Sequence, residues 1–137
     1  MARCIGTVDA RVKILELPSL VHPIAPLSDM KALGQLVRTF RRLGPDVVHT
    51  HTSKAGILGR LAARGASVPI VVHGVHIVPF VNVGRLKAFV YLTAERAVQG
   101  MTHAFIDVSP GIRDQCVRAG VGAPEQHHVV PSGFDLP

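Results

Sequence analysis

The sequence contains no tryptophan and one tyrosine, and aromatic residues make up only 4% of its 137 positions. Proteins that bind single-stranded nucleic acid usually stack bases on aromatic side chains, so this shortage argues against a nucleic-acid partner. Neither the GxxxxGK[S/T] phosphate loop nor the GxGxxG dinucleotide fingerprint occurs in the chain. The sequence therefore gives no basis for predicting a P-loop enzyme or a dinucleotide-binding domain.

Cysteine is almost as scarce, since Cys4 and Cys116 are the only two. They form no disulfide framework and match no zinc-binding spacing, which favours a reducing, cytoplasmic environment. The amino terminus has no apolar signal core. The most hydrophobic stretch, residues 68–83, is too short and too often interrupted by polar residues to cross a bilayer.

The remaining composition is that of one globular domain, with 47% hydrophobic and 18% charged residues. Lysine and arginine number 15 against 9 acidic residues, so the formal charge is +6. This charge favours partners that carry phosphate, such as a nucleotide, a lipid diphosphate or an anionic membrane. Charge alone does not choose among them.

Residues 46–64, DVVHTHTSKAGILGRLAAR, are the most informative stretch. Val47 and Val48 predict a short buried parallel strand, and from Lys54 onward the spacing is helical. The carboxyl end of such a strand is where open α/β sheets bind ligands, and the helix that follows offers N–H groups to an anion. The turn between strand and helix is polar throughout: His49, Thr50, His51, Thr52 and Ser53.

Three small residues, Gly56, Gly59 and Ala63, lie on one side of the predicted helix. This side has almost no side chains, so we expect another element to pack closely against it. Arg60 and Arg64 are predicted to lie on another side of the helix from Ile57, Leu58 and Leu61.

The segments before this unit predict a strand over residues 12–17 and a helix from Ser28 or Asp29 to Leu43. The helix has an apolar face expected to pack on the sheet: Met30, Leu33, Leu36, Val37, Phe40 and Leu43. Three basic residues lie nearly opposite: Lys31, Arg38 and Arg42. They predict a solvated face or, alternatively, a surface that contacts anionic lipid at the inner face of the membrane.

A second apolar run, residues 70–72, predicts a buried strand that ends in His73 and His76. A helix over 85–100 with Leu86, Phe89 and Val90 on its apolar face follows, then a strand over 104–108. Ser109 is expected to cap a further helix ending at Gly120, before a last strand over 128–130. This alternation predicts a doubly wound parallel α/β sheet.

Histidines at two neighbouring strand ends raise the question of a metal site. Of the four, only His49 and His51 would project to the same side of their strand, and no cysteine or carboxylate lies nearby in sequence. We therefore predict no metal. Instead, we expect one polar crevice between two strand ends, where hydroxyls, imidazoles and an ammonium suit a phosphorylated sugar. Its residues are His49, His51, Thr52, Ser53 and Lys54 from one strand end and His76 from the next.

The string PDVVHTHTSKAGILGRLAA, residues 45–63, resembles the amino-terminal domain of family 4 retaining glycosyltransferases, which have the two-domain GT-B fold. The segments LPSLVHPIAPLSDMKAL and VVPSGFDLP resemble the same family, so the likeness extends from Val12 to Pro137. It implies a Rossmann-like half of a GT-B fold. It also implies that a hexose moves from a nucleotide-sugar donor to a saccharide or lipid-linked acceptor with retention, without metal or other cofactor, in polysaccharide biosynthesis.

By this resemblance, His76 is the candidate catalytic residue facing the reacting sugar. The candidate substrate-binding residues are His49, His51, Thr52, Ser53, Lys54 and His73. Glu95 is expected to form a structural ion pair.

The resemblance also implies that residues 1–137 form one incomplete domain, lacking the first strand with its glycine-rich loop and the carboxy-terminal nucleotide-sugar domain. We therefore expect the chain alone to be inactive. Two alternatives remain open: a fragment similar to the UDP-sugar 2-epimerases, and a non-enzymatic module that binds phosphate or anionic lipid through Lys31, Arg38 and Arg42.

Overall fold

In the part of the chain that the structure describes, four parallel strands form one sheet in the order β1-β2-β3-β4. The computed structural model describes residues 9, 11–21, 24–131 and 133. Helices and strands alternate, which confirms the predicted α/β class. The elements are α1 (Pro26–Leu43), β1 (Val47–His51), α2 (Ser53–Gly65), β2 (Ile70–Val75), α3 (Arg85–Val98), β3 (Ala104–Asp107), α4 (Pro110–Arg118) and β4 (His127–Val129), with short 3-10 turns at Gln99–Met101 and Pro124–Gln126.

The prediction of a strand over residues 12–17 is wrong. This segment has no regular structure, and Val12, Ile14 and Leu15 are 57%, 48% and 43% exposed. An apolar run becomes a strand only when a neighbouring strand pairs with its backbone, and none does so in the part of the chain that the structure describes.

Helix α1 begins at Pro26, earlier than the predicted caps. Proline suits the first helical position because its fixed φ is helical and its missing N–H is not needed there. Asp29 instead accepts a hydrogen bond at 3.0 Å from the backbone N–H of Ala25. The helix ends at Leu43 as predicted, where Gly44 takes the left-handed conformation with φ of 58°.

The apolar face of α1 does not pack on the sheet along its whole length. Met30 is 72% exposed and Leu43 is 48% exposed, because α1 packs mainly against α2. Phe40 reaches the cluster formed by Val48, Ala63 and Val71. The three basic residues of this helix are exposed, as predicted: Lys31, Arg38 and Arg42.

The two faces of the sheet differ in burial. Helix α2 contacts β1 and β2, and α4 contacts β3 and β4. Thr50, His73 and Phe105 are buried on one face, whereas Val47 on the other is 49% exposed. The prediction of a buried first strand is therefore right for Val48 and wrong for Val47, because β1 is an edge strand with one open face among the described residues.

The side of α2 that lacks side chains packs against the ends of β1 and β2, as the small residues predicted. A Cβ atom built on Gly56 would lie 2.5 Å from Cε1 of His73, and one on Gly59 would lie 2.7 Å from Cγ2 of Thr50. The two glycines thus allow α2 to approach the strands closely enough to bury both polar side chains.

We expect Gly56→Ala and Gly59→Ala each to lower the free energy of unfolding by about 1–3 kcal/mol, since buried neighbours must move to admit the methyl group. Gly34→Ala is the matched control in α1. Its Cβ would meet only Arg38 Nη1 at 3.6 Å, so the better helix propensity of alanine should leave stability equal or higher. Urea unfolding followed by circular dichroism measures all three. Equal effects at the three glycines would contradict the close packing.

Within the described residues, no helix is both long enough and apolar enough to span a membrane.

Candidate functional site

The imidazoles of His51 and His76 meet at the carboxyl ends of β1 and β2. Nδ1 of His51 lies 3.0 Å from Nε2 of His76, and the rings of His49 and His51 have centroids 4.2 Å apart. The two imidazoles therefore meet as predicted. One ring must donate the hydrogen bond and the other must accept it, so the pair in this geometry includes at least one neutral imidazole.

His51 is a weaker base than an ordinary histidine. Partial burial lowers its pKa most, and the neighbouring imidazoles of His49 and His76 lower it further because two positive charges repel each other. The imidazole of His51 therefore favours the neutral form, which provides the neutral partner that the hydrogen bond to His76 needs.

His73 lies apart from these three, on the face of the sheet that α2 covers. It is 5% exposed, and its Nδ1 lies 2.9 Å from the hydroxyl of Thr50. That hydroxyl donates to the carbonyl of Val72, so it accepts from Nδ1–H of His73 and leaves Nε2 unprotonated. Burial above all, and then the charge of Arg60, lower the pKa of His73 to about 3.

The turn from β1 into α2 is built on an unusual backbone conformation. Thr52 has φ of 62° and ψ of 165°, a region that residues other than glycine rarely occupy. Such a conformation costs about 1–3 kcal/mol and is found most often at functional sites. Here it turns the chain so that α2 begins at Ser53, directly beside the histidines.

A cavity of about 710 Å³ opens at this turn. Five of the predicted site residues line it: Thr52, Ser53, Lys54, His73 and His76. His49 and His51 are not among its lining residues, so the prediction that they share one crevice with these five is wrong. His51 is linked to the cavity by its hydrogen bond to His76. The other walls are mainly apolar and come from segments in which no site was predicted, including Leu20, Val21, Ile24, Ile77, Pro79 and Phe80.

Lys54 holds two elements together at this cavity. Its ammonium donates to the carbonyl of Val21 at 2.7 Å and forms an ion pair with Asp29 of α1. The hydrogen bond from Lys54 lowers the pKa of Asp29 below its usual value. Lys54 thus fixes the segment before α1 as one wall of the cavity.

Glu95, which lines the cavity, belongs to a buried ion pair. Nη2 of Arg60 lies 2.6 Å from Oε2 of Glu95, and the two residues are 0% and 4% exposed. The expected ion pair of Glu95 is confirmed. The burial of Arg60 was not predicted. Helix α3 packs against α2 and carries Glu95 to Arg60, which the sequence spacing of α2 alone did not indicate.

The sequence analysis did not predict a second buried pair, formed by a carboxylate and an imidazole. Asp107 is the last residue of β3 and His127 the first of β4, and Oδ2 of Asp107 lies 2.8 Å from Nδ1 of His127. Nε2 of His127 faces the carbonyl of Val121 at 2.9 Å. Burial raises the pKa of the nearby Cys116 thiol to about 12, so this cysteine is no nucleophile.

Among the described residues, no group of three or more histidines, cysteines and acidic residues is placed to hold a metal ion.

Comparison with known families decides the classification. The glycosyl transferase 4-like domain family matches residues 4–133. The chain belongs to this family. The match covers both polar strand ends, the cavity and α3, and it agrees with the resemblance of residues 45–63.

Two curated relatives are also glycosyltransferases by name. A UDP-Gal:alpha-D-GlcNAc-diphosphoundecaprenol alpha-1,3-galactosyltransferase from Escherichia coli is 36% identical over 130 residues, which is 94% of this chain and 34% of the relative. The capsular polysaccharide biosynthesis glycosyltransferase CapM from Staphylococcus aureus is 25% identical over 122 residues, covering 89% of this chain and 32% of that protein. The glycosyltransferase 4-like chain thus spans about a third of the length of these relatives.

Among solved structures, Anabaena Alr3699/HepE in complex with UDP and glucose is similar with a TM-score of 0.61. The two chains are 21% identical, and the match covers 82% of this chain and 30% of that one. The same protein in complex with UDP-glucose gives an equal TM-score. This likeness supports the predicted fold, a Rossmann-like half of a GT-B glycosyltransferase.

In this glycosyltransferase 4-like domain, we expect His76→Ala to raise the pKa of His51 toward its ordinary value. The substitution removes a ring that shields His51 from water and an imidazole whose charged form would repel a charged His51, and both lower the pKa of His51 now. Titration of the imidazole ¹⁵N shifts by NMR measures the effect. His128→Ala, an exposed change on β4, should leave the pKa of His51 unchanged. An unchanged His51 in the His76 variant would contradict the coupling.

Proposed function

We propose that this chain is the acceptor-side domain of a retaining glycosyltransferase, which moves a sugar from a nucleotide-sugar donor to a lipid-linked saccharide. The observation that carries the proposal is the mixed character of the cavity. One end has imidazole, hydroxyl and helix-start groups, and the other walls are apolar. An acceptor made of a sugar diphosphate and a hydrocarbon chain likewise has one polar part and one apolar part.

The polar end suits the phosphate and sugar parts. Thr52 and Ser53 lie at the start of α2, where backbone N–H groups and the helix dipole favour an anion. We assign the acceptor diphosphate to this position. Lys54 is held by Val21 and Asp29, so its role here is to shape the wall and to add positive charge nearby.

His76 is the proposed catalytic residue because it is exposed at the cavity and can contact an acceptor hydroxyl. His51 would act as a positioning residue through its hydrogen bond to His76, and His49 would support His51 from the other side. His73 remains neutral and buried, so its contribution is to the shape and polarity of the cavity floor.

The relatives support this class of substrate. The name of the Escherichia coli relative specifies a UDP-galactose donor and an acceptor of GlcNAc linked through diphosphate to undecaprenol. The name of the Staphylococcus aureus relative places it in capsular polysaccharide biosynthesis. For this chain we propose a related, cytoplasmic role in polysaccharide biosynthesis, with a peripheral contact to the membrane that holds the acceptor.

We further propose that residues outside these 137 hold the donor nucleotide, so the chain alone should bind acceptor but transfer no sugar. Isothermal titration with a GlcNAc diphosphate carrying a short prenyl chain tests the first part. UDP-galactose, titrated in parallel, should bind far more weakly. Sugar transfer by the purified chain would contradict the second part.

Substitutions make the binding test specific. Ser53→Ala and His76→Gln should each weaken acceptor binding by about five- to tenfold, the cost of one hydrogen bond to a charged or hydroxyl group. His128→Gln is the matched control at an exposed strand end. Equal acceptor affinities for all three variants would contradict an acceptor site at Ser53 and His76.

A further inference from the structure

Gly74 lies in β2 directly across from His51 of β1. Its neighbours His73 and Val75 are both buried, on the face of the sheet that packs against the helices. Because side chains alternate along a strand, a side chain at residue 74 would point to the other face of the sheet. His49 and His51 are exposed on that same face. The missing side chain of Gly74 therefore concerns these two imidazoles.

The imidazole of His51 occupies the space that a side chain at residue 74 would need. A Cβ atom built on Gly74 would lie 2.6 Å from Nδ1 and 2.8 Å from Cε1 of His51, and 3.2 Å from Nε2 of His49. Real Cβ atoms do not come within 3.0 Å of such atoms. Only glycine at this position therefore allows the ring of His51 to lie against the backbone of β2.

The ring of His51, placed in this way, contacts one particular nitrogen of His76. Nδ1 of His51 lies 3.0 Å from Nε2 of His76, and the two ring centroids are 5.2 Å apart. His76 lines the cavity and forms no other hydrogen bond with the described residues. An imidazole has two nitrogens, so the one that remains for a ligand is Nδ1.

We propose that Gly74 is a positioning residue for this site. Because it has no side chain, His51 can lie where it holds Nε2 of His76 and leaves Nδ1 for a ligand in the cavity. The inference rests on the proposed function for the identity of that ligand, the diphosphate-linked sugar acceptor. A ring that is already held loses less rotational freedom when the ligand binds, which favours the hydrogen bond from Nδ1.

Gly74 differs from the glycines of α2 in what a methyl group would displace. At Gly56 and Gly59 the methyl group would meet buried side chains. At Gly74 it would meet the rings of His49 and His51, which are exposed and can turn into solvent. Gly74 has no positive φ, so alanine fits its backbone. Gly74→Ala should therefore fold, with a urea midpoint equal to or above that of the wild type, because glycine weakens a strand interior.

Titration of the imidazole ¹⁵N shifts without ligand tests the placement of His51. In Gly74→Ala the pKa of His51 should rise toward its ordinary value. Its ring would leave the partial burial and the imidazoles of His49 and His76 that lower the pKa now. Gly100→Ala is the matched control, because its Cβ would meet no atom within 4 Å, and it should leave this pKa unchanged. An unchanged pKa of His51 in Gly74→Ala would overturn the proposal.

Titration with the short-chain prenyl diphosphate of GlcNAc tests the effect on binding. Gly74→Ala and His51→Ala should each weaken binding by about three- to tenfold, the effect of one hydrogen bond. The double variant Gly74→Ala/His51→Ala should bind as well as either single variant, because all three remove the same contact. Gly100→Ala should bind like the wild type. In the wild type, the ligand should shift Nδ1 of His76 more than Nε2.

The results separate this proposal from the proposed function. Wild-type affinity of Gly74→Ala, or losses that add up in the double variant, would overturn the positioning role of Gly74. Absence of binding by the wild type would contradict the acceptor site instead, and the pKa of His51 in Gly74→Ala would still decide whether Gly74 places His51.

Discussion

Replacing Arg60 by methionine is expected to lower the free energy of unfolding by about 3–5 kcal/mol, because the carboxylate of Glu95 would remain buried without its partner. Arg60 is completely buried, and its Nε also donates to the carbonyl of Gly56 at 3.1 Å. Guanidinium unfolding followed by circular dichroism measures the loss.

Two further variants distinguish the effect of the Arg60–Glu95 ion pair from the effect of the side-chain packing around it. Arg64→Met, one turn along on the exposed side of α2, should change stability by less than about 0.5 kcal/mol. The double variant Arg60→Met/Glu95→Leu should recover most of the loss, because no buried charge remains unpaired. A single Arg60 variant as stable as the wild type would show that the pair is not buried as described.

Acidification is expected to destabilise the chain steeply through His73. Its pKa is about 3 in the folded chain and about 6.5 when unfolded, so only the unfolded chain takes up the proton between these values. The stabilising effect of the neutral folded form is complete above about pH 6.5. It is lost as the pH falls, at about 1.4 kcal/mol per pH unit, until the folded form also protonates near pH 3.

His73→Asn tests this dependence. The asparagine amide can replace Nδ1–H as donor to Thr50 but does not titrate, so stability should fall less steeply with acid even if it is lower at neutral pH. His128→Asn, at an exposed position, should keep the wild-type slope. Urea unfolding at a series of pH values gives both slopes. Identical slopes for the wild type and the His73 variant would contradict a neutral, buried His73.

The strand-to-helix unit of β1 and α2 could be predicted because its signals are local. Val47 and Val48 mark the strand, and the glycines of α2 mark a close contact that the structure assigns to Thr50 and His73. The strand predicted over residues 12–17 failed because its formation depends on a partner strand. A short apolar run does not reveal whether such a partner exists.

The sequence predicted only the polar residues of the candidate site. His51 ends β1, Thr52 and Ser53 come directly after it, and His76 comes directly after β2. A parallel sheet places all four at one edge because its strands end at the same edge. The apolar walls come from separate segments around residues 20–24, 77–83 and 91–95, which only tertiary packing brings together. For the same reason the buried pairs of Arg60 with Glu95 and Asp107 with His127, separated by 35 and 20 residues, could not be located from spacing.

The central claim is that the polar strand ends and the apolar cavity form one binding site for an amphipathic diphosphate-linked sugar. Imidazole and amide NMR shifts, recorded while the short-chain prenyl diphosphate of GlcNAc is added, test it most directly. We expect the ring signals of His51 and His76 and the amide signal of Ser53 to move together with one affinity, and those of His128 to stay in place. Saturating ligand that shifts His128 but leaves His51 and His76 unmoved would contradict the claim.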